Sequence, residues 1–450
     1  MRRRALAASV LAAFIFAAAA CSAPTPTQAV TTVSVRTFGA KGDGRTDDTT
    51  AFRRAMRAAV EAHATLYVPR GAYKLSDLSL PNGLAITGAG PRVSWLKGRI
   101  LFGSNQHICR LKLGKAGDSA VHNRNGASGT TFTACRFRGG SPGAPDGYFN
   151  TIALGGDGSV DHITFKDSEV ERNLGAGNNI SIVEDGSSAG GAHVSDITFD
   201  GLHVGVSNGR TDIPRNIGGP LGGIEVYTWD GGTGKALHGW SNVNILNSVF
   251  EATDSFCVDL ADYPLASGER ASGPVRVAGN TLKGGGWGGG RWGYTIAIES
   301  PKGVLIENNT IYRGGNRALG VGWTSGLPSG FIVRGNVFPL DYDNGITVNP
   351  SQYAPMITLS GNGTFSGNTI TTDEGGFVLE LLDFSNGTVT GNTFNELRTS
   401  SPPWAVGYTN MTGTAITGNT FKTAATSNPV LSDGGSNSNN TISGNTFLHE

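Results

Sequence analysis

Gly279-Asn280-Thr281-Leu282, Gly367-Asn368-Thr369-Ile370, Gly391-Asn392-Thr393-Phe394, Gly418-Asn419-Thr420-Phe421 and Gly444-Asn445-Thr446-Phe447 are one phrase repeated down the C-terminal half of the chain. Asn308-Asn309-Thr310-Ile311 and Gly335-Asn336-Val337-Phe338 are near-copies. From Asn280 onward the asparagines follow one another at steps of 29, 27, 32, 24, 27 and 26 residues. A period of that length marks each unit as one turn of a solenoid, because a single unit cannot bury its own apolar face and must stack on the next. Each unit is expected to hold two runs: one carrying the asparagine, the other a short apolar-x-apolar strand. Read upstream, the asparagine slot continues as Asn247, Gly201, Asp167, Cys135 and Cys109. The expectation is an all-β chain forming a single parallel β-helix of about twelve coils. The asparagines would stack as a ladder, each tolerating a left-handed backbone at a tight turn and bonding its neighbours.

The ends and the composition bound the rest. Arg2, Arg3 and Arg4 precede the apolar run Ala5–Ala20, which reads as a secretory signal ending at Cys21. Ala18-Ala19-Ala20-Cys21 also fits a lipobox, in which Cys21 would carry a lipid anchor. Residues 1–21 are assigned to this signal, 22–32 to a Pro- and Thr-rich tether, and 33–450 to the β-helix. The chain is expected to be secreted or tethered at the cell surface, with any membrane attachment made through Cys21. Lys and Arg balance Asp and Glu at 35 each, which speaks against nucleic acid as a partner. After the signal only Cys109, Cys135 and Cys257 remain, an odd count with no zinc spacing. Cys109 and Cys135 could pair between stacked coils. No metal or cofactor is expected for hydrolysis, and a monomer is expected.

The stretch Thr37-Phe38-Gly39-Ala40-Lys41-Gly42-Asp43-Gly44-Arg45-Thr46-Asp47-Asp48-Thr49-Thr50-Ala51-Phe52, followed by Leu66-Tyr67-Val68-Pro69-Arg70-Gly71-Ala72-Tyr73, resembles the N-terminal signature of the pectate-lyase-like superfamily. The resemblance implies a right-handed parallel β-helix and carbohydrate chemistry. Its members include polygalacturonase-like hydrolases, lyases, alginate epimerases and phage tailspikes, so it leaves the reaction open. The residues themselves agree with a helix here. Asp47, Asp48 and Thr49 offer N-cap chemistry, and Ala51, Phe52, Ala55, Met56, Ala59 and Val60 recur at helical spacing. This helix is expected to cap the open end of the solenoid. The polygalacturonase set Asn-Thr-Asp, Asp-Asp-Cys, Gly-His-Gly and Arg-Ile-Lys is missing, as is the Asp-Pro-His-Glu of the epimerases. No catalytic residue therefore carries over.

Coil alignment supplies the candidates instead. The second strands are expected to stack as Ile180-Ser181-Ile182, Ile224-Glu225-Val226, Val258-Asp259-Leu260, Ile296-Ala297-Ile298, Leu319-Gly320-Val321, Ile346-Thr347-Val348 and Leu379-Glu380-Leu381. Side chains alternate faces, so the middle residue of each row points out of the core. Glu225 and Asp259 then stand on adjacent coils about 4.8 Å apart at the backbone, and Glu299 lies roughly 8 Å from Asp259 along the diagonal. Clustered carboxylates push one another's pKa values apart, which is what an acid and a base of glycoside hydrolysis need. The wider pair suits an inverting enzyme. The coil steps lengthen here to 32, 34, 46 and 33 residues between Cys135 and Asn280. Those insertions carry Trp229, Trp240, Tyr263, Trp287, Trp292 and Tyr294, with Trp323 one coil on, and such rings can stack on sugars.

The catalytic candidates are thus Glu225, Asp259 and Glu299, with Asp254 and Asp262 as second choices. The substrate-binding candidates are Tyr227, Trp229, Asp262, Trp287, Arg291, Trp292, Arg317, Trp323 and Asn349. Arg291, Arg313 and Arg317 would favour an acidic sugar if they faced the cleft, or serve as the base of a lyase. The leading expectation is an inverting glycoside hydrolase acting on a polysaccharide. A Ca²⁺-dependent lyase on a uronate-containing glycan and a non-catalytic glycan-binding protein are the alternatives.

Overall fold

In the computed structural model the described residues are 31–450 without 125, 141–149, 156–157, 172, 174–176, 186–192, 207–221, 230–238, 254–255, 262–271, 285–293, 300–301, 314–316, 323–328, 340–355, 373–377, 397–404, 424–429, 433 and 450. The signal, Cys21 and nearly all of the tether lie outside them. Every pairing between named strands is parallel, and the chain winds through three faces per turn rather than the expected two runs. In one coil, Val275–Ala278 lies on the first face, Thr281–Gly284 on the second and Tyr294–Ile298 on the third, before Val304–Glu307 returns to the first. The missed run is the second-face strand, which follows the asparagine so closely that the two read as one segment. The second face stacks 15 strands, more than the expected twelve coils, because Asp43–Asp47, Gly71–Lys74 and Ser94–Lys97 already build rungs before Cys109.

Inward residues of all three faces form one continuous core. Phe132, Phe165 and Phe199 stack on successive first-face rungs with centroids 4.8 and 5.3 Å apart. Such stacks arise because identical register brings the same inward position together once per coil. Helix α1, Thr49–Glu61, closes the N-terminal end with Ala51, Phe52, Ala55, Met56 and Ala59 buried, while Val60 is exposed. Its cap differs from expectation. Asp48 turns back to accept from the Lys41 and Gly42 amides, and Asp47 accepts from the Thr49 amide at 2.9 Å.

The asparagine column is a ladder, but its backbone geometry belongs to the residue before it. Gly279, Asn308, Gly335, Gly367, Gly391, Gly418 and Gly444 have φ between 55° and 69°, and the following asparagine only aims its amide inward. Upstream, Asn247, Gly201 and Asp167 have φ of 49°, 68° and 48°, so they hold this left-handed position and not the ladder slot. The slot itself is held by Ser248, Leu202, Ser168, Cys135 and Leu111. Ser248 donates its amide to Asn280 Oδ1, Leu202 to Ser248 Oγ and Cys135 to Ser168 Oγ. The Arg136 amide bonds the Leu111 carbonyl, so Cys109 sits two residues before the slot. Cys109 and Cys135 are buried thiols and not a disulfide. Cys109 Sγ meets Thr87 Oγ1 at 3.2 Å, and Cys135 Sγ meets the Ile108 carbonyl at 3.5 Å.

Candidate active site

The third face brings the three acids together. Ile224–Trp229 pairs with Ile180–Asp185 on one side and Val258–Leu260 on the other, with Ser181 beside Glu225 and Glu225 beside Asp259. Asp259 pairs in turn with Ala297, and the Glu299 amide bonds the Leu260 carbonyl at 2.8 Å, so Glu299 lies one rung on and two residues along. Ala297 pairs with Gly320 as expected. The next rung is Ile357-Thr358-Leu359 and not Ile346–Val348, so Thr358 replaces Thr347 in the outward column. Thr358 then pairs with Glu380. The error has a simple source: both segments alternate, and the step between these coils is long enough to hold two candidates. Ser360 stands where Asn349 was expected, and Asn349 lies outside the described residues.

This outward column is covered and not open surface. Ser181, Asp259, Ala297 and Thr358 are buried, and Glu225 and Glu299 are half-buried. Burial disfavours a carboxylate more than a carboxylic acid. It raises Glu225 to about 7, against the pull of the Asn178 side chain, whose Nδ2 donates to Oε2 at 2.6 Å. Burial also raises Asp259 well above the usual carboxylate range, and the adjacent charges of Glu299 and Glu225 push it further. Asp259 Oδ1 is buried with no hydrogen-bond partner. Among the described residues, neither Glu225 nor Asp259 has a cationic partner. A buried acid without a cation keeps its proton, so the arrangement can donate one at neutral pH.

Asn178, absent from the sequence candidates, is fixed from both sides. It accepts from the Gly222 amide at 3.0 Å, and its own amide donates to Asn150 Oδ1 at 2.9 Å. The Asn178-Asn179 pair just before an outward-column strand was the available signal. Tyr294 was another. A side chain on Gly320 would lie 2.3 Å from its ring, so the absent Cβ lets the ring lie over the outward column two rungs from Asp259. Arg317 Nη1 donates to Tyr294 Oη at 2.6 Å and to Thr358 Oγ1 at 2.9 Å, and Thr358 Oγ1 reaches Glu380 Oε2 at 3.5 Å. Arg317 therefore shares the face, while Arg313 is buried. Gly320→Ala is expected to displace Tyr294 and Arg317 and to cost about 1–3 kcal/mol, read as a lower melting temperature. An unchanged melting temperature would show that the ring has room to move.

Tyr227 pairs with Val183 on the same face and is half-buried. Trp229 ends its strand. Trp240, expected as an exposed ring, is fully buried and donates Nε1 to the Ala261 carbonyl at 3.2 Å. It holds one rung to the next and is no sugar platform. Asp254, Asp262, Tyr263, Trp287, Arg291, Trp292 and Trp323 lie outside the described residues. Among the described residues, no group of three His, Cys, Asp or Glu side chains is placed to hold a metal ion.

Residues 32–218 match the family model described as rhamnogalacturonase A/epimerase, pectate lyase-like, and residues 265–447 match the right-handed β-helix region. The chain thus carries a pectate-lyase-like match over its N-terminal part and a right-handed β-helix match over its C-terminal part. It is 31% identical over 153 residues to mannuronan C5-epimerase AlgE4 of Azotobacter vinelandii, covering 32% of this chain and 27% of that one. It is 46% identical over 66 residues to the preneck appendage protein of Bacillus phage PZA, covering 14% of this chain and 7% of that one. The chain thus spans well under a third of these relatives' length. A crystal structure of a DFA-IIIase mutant from Arthrobacter chlorophenolicus A6 superposes with a TM-score of 0.52 at 13% identity, over 92% of this chain and 98% of that one. That likeness carries the fold and nothing more.

Proposed function

We propose that this chain is a secreted glycoside hydrolase that cleaves a polysaccharide on its third face. The observation that carries the reading is Asp259: a buried carboxyl with an unpartnered oxygen, flanked in register by Glu225 and followed diagonally by Glu299. Asp259 is the proton donor to the leaving glycosidic oxygen. Glu299, half-buried, is the base that takes a proton from water on the opposite side of the sugar. Coil alignment alone makes Asp259 or Glu225 the base and Glu299 the acid; burial exchanges these roles, because the more deeply buried acid is the one that holds its proton. Glu225 is the tuning group. It ionises near pH 7, and its charge then opposes ionisation of Asp259. The diagonal placement favours inversion, since a water must fit between base and sugar. Partial kinship with pectate-lyase-like proteins and mannuronan epimerases supports a carbohydrate substrate. Arg2–Arg4 followed by Ala5–Ala20 supports export, with Cys21 as the anchor if it is lipidated.

A lyase is the second reading, favoured by one observation: Arg317 lies on the same face, held by Tyr294 and Thr358. A proton held on Asp259 fits poorly with Ca²⁺, which binds charged carboxylates. The two readings part on products. A hydrolase releases reducing ends without ultraviolet absorbance, whereas a lyase leaves an unsaturated, absorbing sugar. The pH profile tests the mechanism separately. Activity is expected to fall as pH rises and the Glu225–Asp259 pair loses its last proton, at a pH well above the usual carboxylate range. Glu225→Gln removes a like charge from Asp259 and is expected to move that fall to lower pH. A move to higher pH would remove Glu225 from the tuning role.

A further inference from the structure

A second cluster of charge lies far from the acids, on the second face of the first rungs. Gly44, Arg45, Lys74, Leu75, Lys97 and Lys115 line a cavity of about 460 Å³. Lys74 and Lys97 are register partners on adjacent rungs, so their backbones stand about 4.8 Å apart. Gly44, with φ of 76°, leaves the floor without a side chain. Asp47 pairs with Lys74 in register but gives its carboxylate to the Thr49 amide, and Asp43 bonds the Arg45 and Thr46 amides of its own turn. Lys115 meets Asp118 at 3.7 Å. Among the described residues, Arg45, Lys74 and Lys97 form no ion pair within 4 Å.

The same face treats its other cations differently. Lys112 and Arg136 meet Glu171 at 2.6 and 2.8 Å, and Arg136 also meets Glu169 at 3.4 Å. Trp95, between the two groups, holds Lys97 Nζ 4.9 Å and Lys112 Nζ 4.6 Å from its ring centre. Carboxylates thus bond the cations on one side of Trp95 directly, whereas around the cavity only Lys115 meets a carboxylate within 4 Å and Asp47 acts on Lys74 from farther away, in a chain whose formal charges sum to zero. Like charges on successive rungs repel, and an anion with several charges would offset that repulsion. The volume falls in the range of sugar-sized ligands.

We propose that this cavity is an anion-binding site for a short stretch of acidic polysaccharide, its ring carboxylates meeting Arg45, Lys74 and Lys97. Lys97 lies on the third strand of the second face and the strand leading to Asp259 on the eighth, so five rungs, roughly 24 Å, and a change of face separate the two sites. The site does not depend on the hydrolase reading. It would hold an acidic chain to the protein whether or not the third face cleaves it.

Calorimetric titration of the full chain tests this, carried out in an Asp259→Asn background. The probes are a galacturonate trisaccharide, the same trisaccharide with its carboxyls reduced to alcohols, and inorganic phosphate. The Lys74→Gln/Lys97→Gln pair is expected to weaken the acidic trisaccharide at least tenfold with an unchanged melting temperature, and raised salt is expected to weaken it in the parent protein. The neutral trisaccharide should bind this site at least tenfold more weakly. Unchanged binding to the lysine double variant, equal binding of the neutral sugar, or phosphate competing at equal affinity would each overturn the proposal.

Discussion

Asp259→Asn is expected to lower polysaccharide cleavage by roughly 10³-fold while leaving the melting temperature unchanged or higher, since positioned general acids contribute about 10²–10⁴-fold. The two effects have one cause. In the folded protein Asp259 holds its proton well above the usual carboxylate range, because burial and two neighbouring acids oppose its charge. Asparagine has the same shape and lacks that proton. Folding therefore no longer has to hold a carboxyl in its unfavourable neutral form, while the leaving oxygen loses its donor. The sign can be checked by pH. A carboxyl whose folded pKa is raised binds more protons folded than unfolded, so stability falls as pH rises from the unfolded value toward the folded one. For Glu225, raised from 4.5 to about 7, this corresponds to about 3 kcal/mol lost across that window. Glu225→Gln should flatten that part of the profile, and Asp259→Asn should remove the fall that the raised Asp259 carboxyl causes. Cleavage at the parent rate by Asp259→Asn would remove Asp259 from the chemistry. A falling melting temperature with activity retained would make it a structural group.

What was legible in the sequence follows from how a solenoid repeats. Period and side-chain alternation place Glu225, Asp259, Ala297 and Gly320 in one outward column, because one rung differs from the next by translation alone. The same logic failed where translation was ambiguous. Ile346–Val348 and Ile357–Leu359 both alternate, and only pairing selects the latter. The asparagine slot slipped by one residue upstream because Asn serves two positions: Asn247 and Asn308 hold the left-handed turn, whereas Asn280 and Asn309 hold the ladder. Tertiary contacts were the other blind spot. Nothing local in Trp240 tells an inward ring from an exposed one, and Asn178 is defined as a partner only by Glu225, 47 residues later. Nor does alternation reveal whether an outward carboxyl is wet. The buried outward column is what turned a surface cluster into one with displaced pKa values.

Asn309→Ala is expected to destabilise the fold by roughly 3–6 kcal/mol, several times the effect of Asn445→Ala. The interior amide ties three coils together. Asn309 Oδ1 accepts from both the amide and Nδ2 of Asn280 at 2.9 Å, while its Nδ2 donates to Asn336 Oδ1 at 2.9 Å and to the Val277 carbonyl at 2.8 Å. Alanine leaves the Asn280 backbone N–H and one of its two Nδ2 hydrogens without an acceptor, the other staying on the Ile245 carbonyl, and takes a donor from the Val277 carbonyl and from Asn336 Oδ1, which keeps the Asn309 amide, at about 1–3 kcal/mol for each bond lost in the interior. Water cannot replace these bonds, because Asn280, Asn309 and Asn336 are almost fully buried. Asn445 makes the same kinds of bond to Asn419 and Ile416 but is half-buried on the last rung, where solvent can substitute. Thermal or denaturant unfolding of the two variants separates a cooperative ladder from a set of independent turns. Equal small losses at both positions would mean that the motif serves through the left-handed residue before the asparagine alone, Asn308 or Gly444. A large loss confined to Asn309 would make the amide ladder the element that keeps the rungs in register, and with them the Glu225–Asp259 pair on the third face.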